Sequence, residues 1–111
     1  MIGGNSRSTA SLHPALKQKA KYLWAWAPAA GARSVTVTSA RRSRAQQTAL
    51  YQKFLAGKSQ YPVAPPGSSK HEHGLALDIV TVPYDALYTL GRWWKSIGGT
   101  WSTSDPIHFE L

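Results

Sequence analysis

The segment "GSSKHEHGLALDI", Gly67 to Ile79, places two histidines and two acids within eight positions of a chain that has only five carboxylate side chains. A second short segment, "SDPIHFEL", adds Asp105, His108 and Glu110 at the end of the sequence. Imidazole and carboxylate both suit zinc, and a catalytic zinc site takes three protein ligands and leaves a position for water. His71, Asp78 and His108 can fill that role. Asp78 lies within an apolar stretch, where an ionised carboxylate is prohibitively costly unless a cation accompanies it. Hydrolysis of an amide also needs a group that accepts the proton of the attacking water and returns it to the leaving amine. Asp105, three residues before His108 across Pro106, is the candidate. The same residues are compatible with a structural metal that has no open position, or with ordinary polar residues at strand ends. His73 shares a strand face with His71 and is an alternative ligand.

These side chains need elements to position them. Leu12, Leu16, Ala20, Leu23 and Ala27 recur at helical spacing, and Pro28 and Gly31 end that helix. "RSVTVTS", Arg33 to Ser39, alternates valine with threonine and reads as a strand. Ser43 to Ala56 is a second helix, with Ser43 and Gln46 spaced as a capping box, Gly57 as its stop, and Ala45, Ala49, Leu50 and Phe54 facing the core. Lys58 to Lys70 holds three prolines and is a loop long enough to carry function. "LALDIVTV", Leu75 to Val82, is a second strand with Leu75, Leu77 and Ile79 opposite Asp78. Pro83 suits a first helical position, and Leu87, Leu90, Trp94 and Ile97 mark the buried face of a third helix ending at Gly98 and Gly99. Short strands around Trp101 and over Ile107 to Leu111 complete an α+β fold, a small antiparallel β-sheet flanked by about three helices.

The 111 residues make one domain, with residues 1–11 a loose lead-in and 12–111 a single core. Five tryptophans and near-average apolar content indicate a packed globule. Cysteine is absent, which excludes disulfides, thiolate zinc sites and cysteine nucleophiles together. Lysine and arginine number 13 against five acids, and no acid precedes Glu72, so attraction to a polyanion is expected. Charge with aromatic residues makes nucleic-acid binding the competing reading from another class. No apolar run approaches the ~20 residues of a membrane helix. "KQKAKYLWAWAPAAGA", Lys17 to Ala32, has the basic and apolar parts of a signal peptide, but its late start and Pro28 favour an amphipathic helix. Trp94 is assigned to the core, and His13, before Pro14, to solvent.

"SSKHEHGLALD" matches the Ser-x-His-x-x-Gly-x-Ala-x-Asp pattern of the LAS zinc peptidases, which include D-alanyl-D-alanine carboxypeptidases and phage L-alanyl-D-glutamate endopeptidases. Ser69, His71, Gly74, Ala76 and Asp78 fall on its fixed positions. "DPIHFE" resembles the closing acid-x-x-His segment of that family. "SARRSRAQQ" is similar to its Ser-Gly-Tyr-Arg-Ser segment with a following glutamine, although Ala40 and Arg41 depart from the usual glycine and aromatic residue. The resemblance implies one Zn2+ held by His71, Asp78 and His108, Asp105 as general base, and Arg42, Gln47 and Ser69 on the substrate side. Aspartate at the base position resembles the phage endopeptidases more than the carboxypeptidases, which usually carry glutamate there. Glu110 alternates with His108 along the last strand and either orients that ligand or forms a surface salt bridge.

The expectation is therefore a monomeric zinc peptidase of bacterial peptidoglycan stem peptides, phage-type, with a D-alanyl-D-alanine carboxypeptidase as the alternative on the same site. Its basic surface would hold it on anionic wall polymers or lipopolysaccharide. By the same resemblance it would be made in the host cytoplasm and reach the wall on release or in a virion. A basic nucleic-acid-binding domain with a structural metal is the second alternative.

Overall fold

The structure, a computed structural model, describes residues 7–59 and 62–111. In chain order it comprises α1 (Pro14–Trp26), β1 (Ser34–Ser39), α2 (Arg44–Leu55), β2 (Ala76–Val82), α3 (Ala86–Ser96) and β3 (His108–Glu110). Short 3₁₀ turns occupy Thr9–Ser11 and Lys70–His73. The strands form one antiparallel sheet in the order β1-β2-β3, the small sheet expected of the α+β class. Of the lead-in, residues 1–6 lie outside the described residues, and Thr9–Ser11 is folded, capped by the Ser8 hydroxyl.

β2 takes the centre because Ala76, Leu77, Asp78 and Ile79 are all buried, and a strand covered on both faces needs a partner along each edge. Leu77 and Ile79 join Leu16 and Leu23 of α1, Leu87, Leu90 and Trp94 of α3, and Phe109 of β3 in the apolar core. Burial of each such side chain is worth about 1.5–3 kcal/mol before entropy is counted. Trp94 meets Phe109 edge to face at 5.7 Å between ring centres. Trp101 is core as well, and it lies so close to α3 that a Cβ on Gly91 would come within 2.0 Å of its ring. The run from Lys17 that mimics a leader is largely α1, which buries Leu16, Ala20 and Leu23. His13 is exposed but not idle, since its Nδ1 accepts the Ala15 N–H at 3.1 Å and caps that helix.

Four expectations change. On α2, Ala45, Ala49 and Phe54 are exposed and only Gln47 is buried; "RAQQTALYQKFL" lacks a continuous apolar stripe, so its inward face is polar. Pro83 precedes α3 by three residues, in a turn where its carbonyl accepts the Thr81 hydroxyl at 2.7 Å, with the Tyr84 carbonyl a second acceptor at 3.3 Å. His71 and His73 do not share a strand face: they sit on the 3₁₀ turn, which buries the first and exposes the second. The stretch around Trp101 contributes only an isolated bridge from Thr100 to Glu110.

Candidate metal centre and substrate cavity

His71, Asp78 and His108 reach one point from three different elements. His71 is on the Lys70–His73 turn, which Ser69 begins and Gly74 ends with φ of +70°. The chain packs so tightly there that a Cβ on Gly74 would lie 2.7 Å from the His13 backbone nitrogen, so both conformation and space require glycine. Asp78 is on β2 opposite Ser39, where β1 carries one extra residue, Thr38, between the Val37–Ile79 and Ser39–Asp78 pairs. His108 opens β3 directly opposite Asp78.

The ligand atoms are closely set. His71 Nε2 is 3.1 Å and His108 Nδ1 2.9 Å from Asp78 Oδ1, and the two ring nitrogens are 3.2 Å apart. The outward nitrogens are both engaged: His71 Nδ1–H donates to the Ala40 carbonyl at 2.7 Å, and His108 Nε2–H to Glu110 Oε1 at 2.8 Å. Those bonds select tautomers whose inward nitrogens carry lone pairs. Two lone pairs and a carboxylate oxygen thus face one another, an arrangement that only a cation can satisfy. A tetrahedral ion with bonds of about 2.0–2.1 Å spaces its ligand atoms by about 3.3 Å, close to the observed edges. The donor set therefore fits zinc. In the metal-free protein a proton plays that part: burial opposes it, but the Asp78 and Glu110 carboxylates outweigh burial and raise His108 to about 9. Asp78 is pushed up by burial and further down by its bonds to His108 and His71, ending far below the usual carboxylate range.

Arg42 completes the carboxylate. Its guanidinium donates to Asp78 Oδ2 at 3.0 Å and to Gln47 Oε1 at 3.2 Å. Gln47 in turn donates from Nε2 to the Ala64 carbonyl at 2.8 Å, so the buried amide ties α2, Arg42 and the proline loop together. Ser69 lines the cavity, and its hydroxyl accepts the His71 N–H at 3.2 Å. The Arg41, Arg42, Arg44 run is accordingly not one solvated patch. Arg42 is turned to Asp78, and Arg44 pairs with Glu72 at 3.3 Å.

Glu72 is a site-shaping residue that motif reasoning passed over. Its Oε2 accepts the backbone N–H of Gly67 at 2.6 Å and of Ser69 at 3.4 Å, binding the loop to the turn that carries His71. Ser69 and Glu72 form a capping box, and their Ser-x-x-Glu spacing was the available signal. The indoles of Trp94 and Trp101 left no such trace. Their N–H groups donate to the Glu110 carbonyl at 2.7 Å and the Pro106 carbonyl at 2.8 Å, fixing the segment that bears Asp105 and His108.

Asp105 faces this cluster from the turn before β3, and among the described residues nothing hydrogen-bonds its carboxylate. Burial is the main cause of its raised pKa, aided by the Asp78 charge and opposed by His108, His71 and Arg42. A half-buried, unpaired carboxylate of raised basicity is suited to accept a proton. The three candidate ligands, Arg42, Gln47 and Asp105 all line one cavity of about 590 Å³, between α2, the proline loop and β3. Of the five acids in the chain, only Asp85 is remote from this cavity and its supports.

Two histidines and an aspartate able to hold one metal ion, with the Asp105 carboxylate lining the same cavity, are the groups that a mononuclear metallohydrolase requires. Residues 9–100 match the family model for VanY, D-alanyl-D-alanine carboxypeptidase, and the chain belongs to that family of zinc peptidases acting on peptidoglycan peptides. Among solved structures, the fold is similar to the vancomycin-resistance D,D-pentapeptidase VanY of the VanB-type cassette in complex with Zn(II). That match has a TM-score of 0.68 and 19% identity, over 90% of this chain and 72% of that one. The L-Ala D-Glu endopeptidase ChiX of Serratia marcescens gives a TM-score of 0.65 and 23% identity, over 96% of this chain and 87% of that one. The D,D-dipeptidase VanXYg gives 0.69 and 21% over 90% of this chain, which spans only 50% of its length. No curated protein matches the chain. No helix among the described residues is long and apolar enough to cross a membrane.

Proposed function

We propose that the chain is a zinc-dependent peptidoglycan hydrolase that cuts the stem peptide internally, as a phage-type L-alanyl-D-glutamate endopeptidase. The observation that carries the hydrolytic reading is the convergence of His71 Nε2, Asp78 Oδ1 and His108 Nδ1, with the unpaired Asp105 on the same cavity. Bound zinc supplies Lewis acidity and a water of near-neutral pKa. The chain supplies the rest. Asp105 takes a proton from the attacking water and returns it to the leaving nitrogen, so the C–N bond breaks as hydroxyl joins the carbonyl carbon. Arg42, held in place by Asp78 and Gln47, faces the carbonyl oxygen as negative charge develops on it. Gln47 acts through Arg42, and Ser69 through the backbone of His71. Glu110 and the Ala40 carbonyl orient the two imidazoles from behind.

The internal cut is supported by aspartate at the general-base position and by the near-complete mutual coverage with the Serratia endopeptidase. In this reading residues 12–111 are one catalytic domain, acting as a monomer on the wall after release from the host cytoplasm or from a virion. A terminal cut is the second reading, favoured by the family model, which describes a D-alanyl-D-alanine carboxypeptidase. Mass spectrometry of purified peptidoglycan digested with zinc, and with a chelator, separates them. New D-glutamate amino termini that need zinc are expected; release of free D-alanine instead assigns the carboxypeptidase, and no new ends under either condition sinks both.

A further inference from the structure

A second groove, of about 730 Å³, lies between α1 and β1 and shares no residue with the catalytic cavity. β1 is an edge strand whose outer side has no partner among the described residues. Arg7, Lys17 and Lys21 line the groove with Trp24, Val35 and Val37, and Trp24 is 38% exposed. No acid lines it, and none of its three cations forms a salt bridge among the described residues.

This arrangement runs against the stability of α1. A helix favours acids in its first turn and bases in its last, yet α1 has neither, and Lys17 stands within four residues of its start. Lys17, Lys21 and Trp24 are spaced three and four apart, which sets them on one helical face. Three like charges around one concavity also repel one another unless a ligand neutralises them. An exposed indole beside them offers a flat apolar face on which a sugar ring can stack.

We propose that the α1–β1 groove binds a sugar-phosphate polymer of the bacterial wall, a sugar ring on Trp24 and phosphates between Arg7, Lys17 and Lys21. The choice of a wall polymer over other polyanions rests on the peptidoglycan reading above. Its effect would be to hold the enzyme near its substrate while the catalytic cavity stays free.

The test is binding of purified wall teichoic acid to the zinc-loaded protein at several salt concentrations, with single-stranded DNA of equal phosphate content alongside. The variants are Lys17→Gln/Lys21→Gln, Trp24→Ala, and the charge-matched control Lys58→Gln/Lys95→Gln. The groove double variant should bind teichoic acid at least tenfold more weakly and lower the slope of log affinity against log salt, because two phosphate contacts and their released counterions are lost. Trp24→Ala should weaken binding severalfold with the slope unchanged. The control should bind as the wild type. Equal losses in the control would mean diffuse charge, and overturn the site. Tighter binding of DNA, lost in the same groove variants, would overturn it in favour of a nucleic-acid surface. Hydrolysis of a soluble stem peptide, measured in parallel, should be unchanged by the groove variants. If the wild type hydrolyses none, the peptidase reading fails separately, and the binding outcomes still decide the groove.

Discussion

α3 and α2 are nearly equal in length, 11 and 12 residues, but opposite kinds of interaction hold them. α3 buries Ala86, Leu87, Leu90, Gly91 and Trp94 against the core, a broad apolar face that ordinary burial energetics can anchor. α2 buries Gln47 alone, and it is positioned by polar ties: the Ser43 cap, the Arg42–Gln47–Ala64 chain of hydrogen bonds, and the Arg44–Glu72 pair. Apolar packing fixes α3, which carries none of the candidate site residues, and it seats β2 and β3 beneath the site. The cavity wall is fixed by the same kinds of groups that bind substrates, so stability and function should separate on mutation.

Chemistry should be removable with packing left untouched. Asp105→Ala should lower kcat by about 10²–10⁴-fold, the usual contribution of a positioned general base. Metal content and Tm should stay at wild-type values, as read by elemental analysis and thermal melting. Retained hydrolysis would remove Asp105 from the mechanism, and a lost metal would give it a ligand's role.

Packing should be removable with chemistry left untouched. Leu90→Ala, at a fully buried site in α3, should cost about 2–5 kcal/mol in denaturant unfolding, while kcat per folded molecule is unchanged. If activity falls in the folded protein, the two halves are coupled more tightly than their contacts indicate.

A proton test reads the polar half directly. In the metal-free protein His108 is raised from 6.5 to about 9, above its value in the unfolded chain. The stability it contributes is therefore complete below about pH 6.5 and is lost as pH rises through about 9, a loss on the order of 3 kcal/mol. With zinc loaded, the ion replaces the proton and that loss should vanish. Thermal melting of chelated and loaded protein between pH 6 and 9.5 checks this; identical profiles would mean that the histidine is not a ligand.

The smallest effect belongs to the edge of α2. Ser43→Ala should cost about 1 kcal/mol of stability, the usual worth of an N-cap. Because Arg42 is next in the chain, KM for the stem peptide should rise with it. An unchanged KM would show that the Asp78 and Gln47 bonds alone hold the guanidinium.

Much of this was legible in the chain. Leu16, Ala20 and Leu23, and likewise Leu87, Leu90 and Trp94, carry their helical faces in their spacing, since periodicity is a local property. His71, Asp78, His108 and Asp105 were visible as a constellation because zinc chemistry permits few residue types and the fixed spacings are specific. α2 misled because its alanines and Phe54 look like core residues, whereas burial depends on what lies opposite a helix. His73 misled because two positions apart means one face on a strand but not on a 3₁₀ turn.

The sequence by itself determined the kinds of element, the residues able to ligate a metal, and the one-signed charge of the first 71 residues. Only the tertiary structure decided that His71 Nε2, Asp78 Oδ1 and His108 Nδ1 meet with their lone pairs inward. It also decided that Glu72 clamps the loop, that two indoles pin the last strand, and that Trp24 shares a groove with Lys17 and Lys21. Each of these depends on groups brought together by burial of an apolar core elsewhere in the chain, and no local pattern encodes a distance between segments that the core alone holds in register.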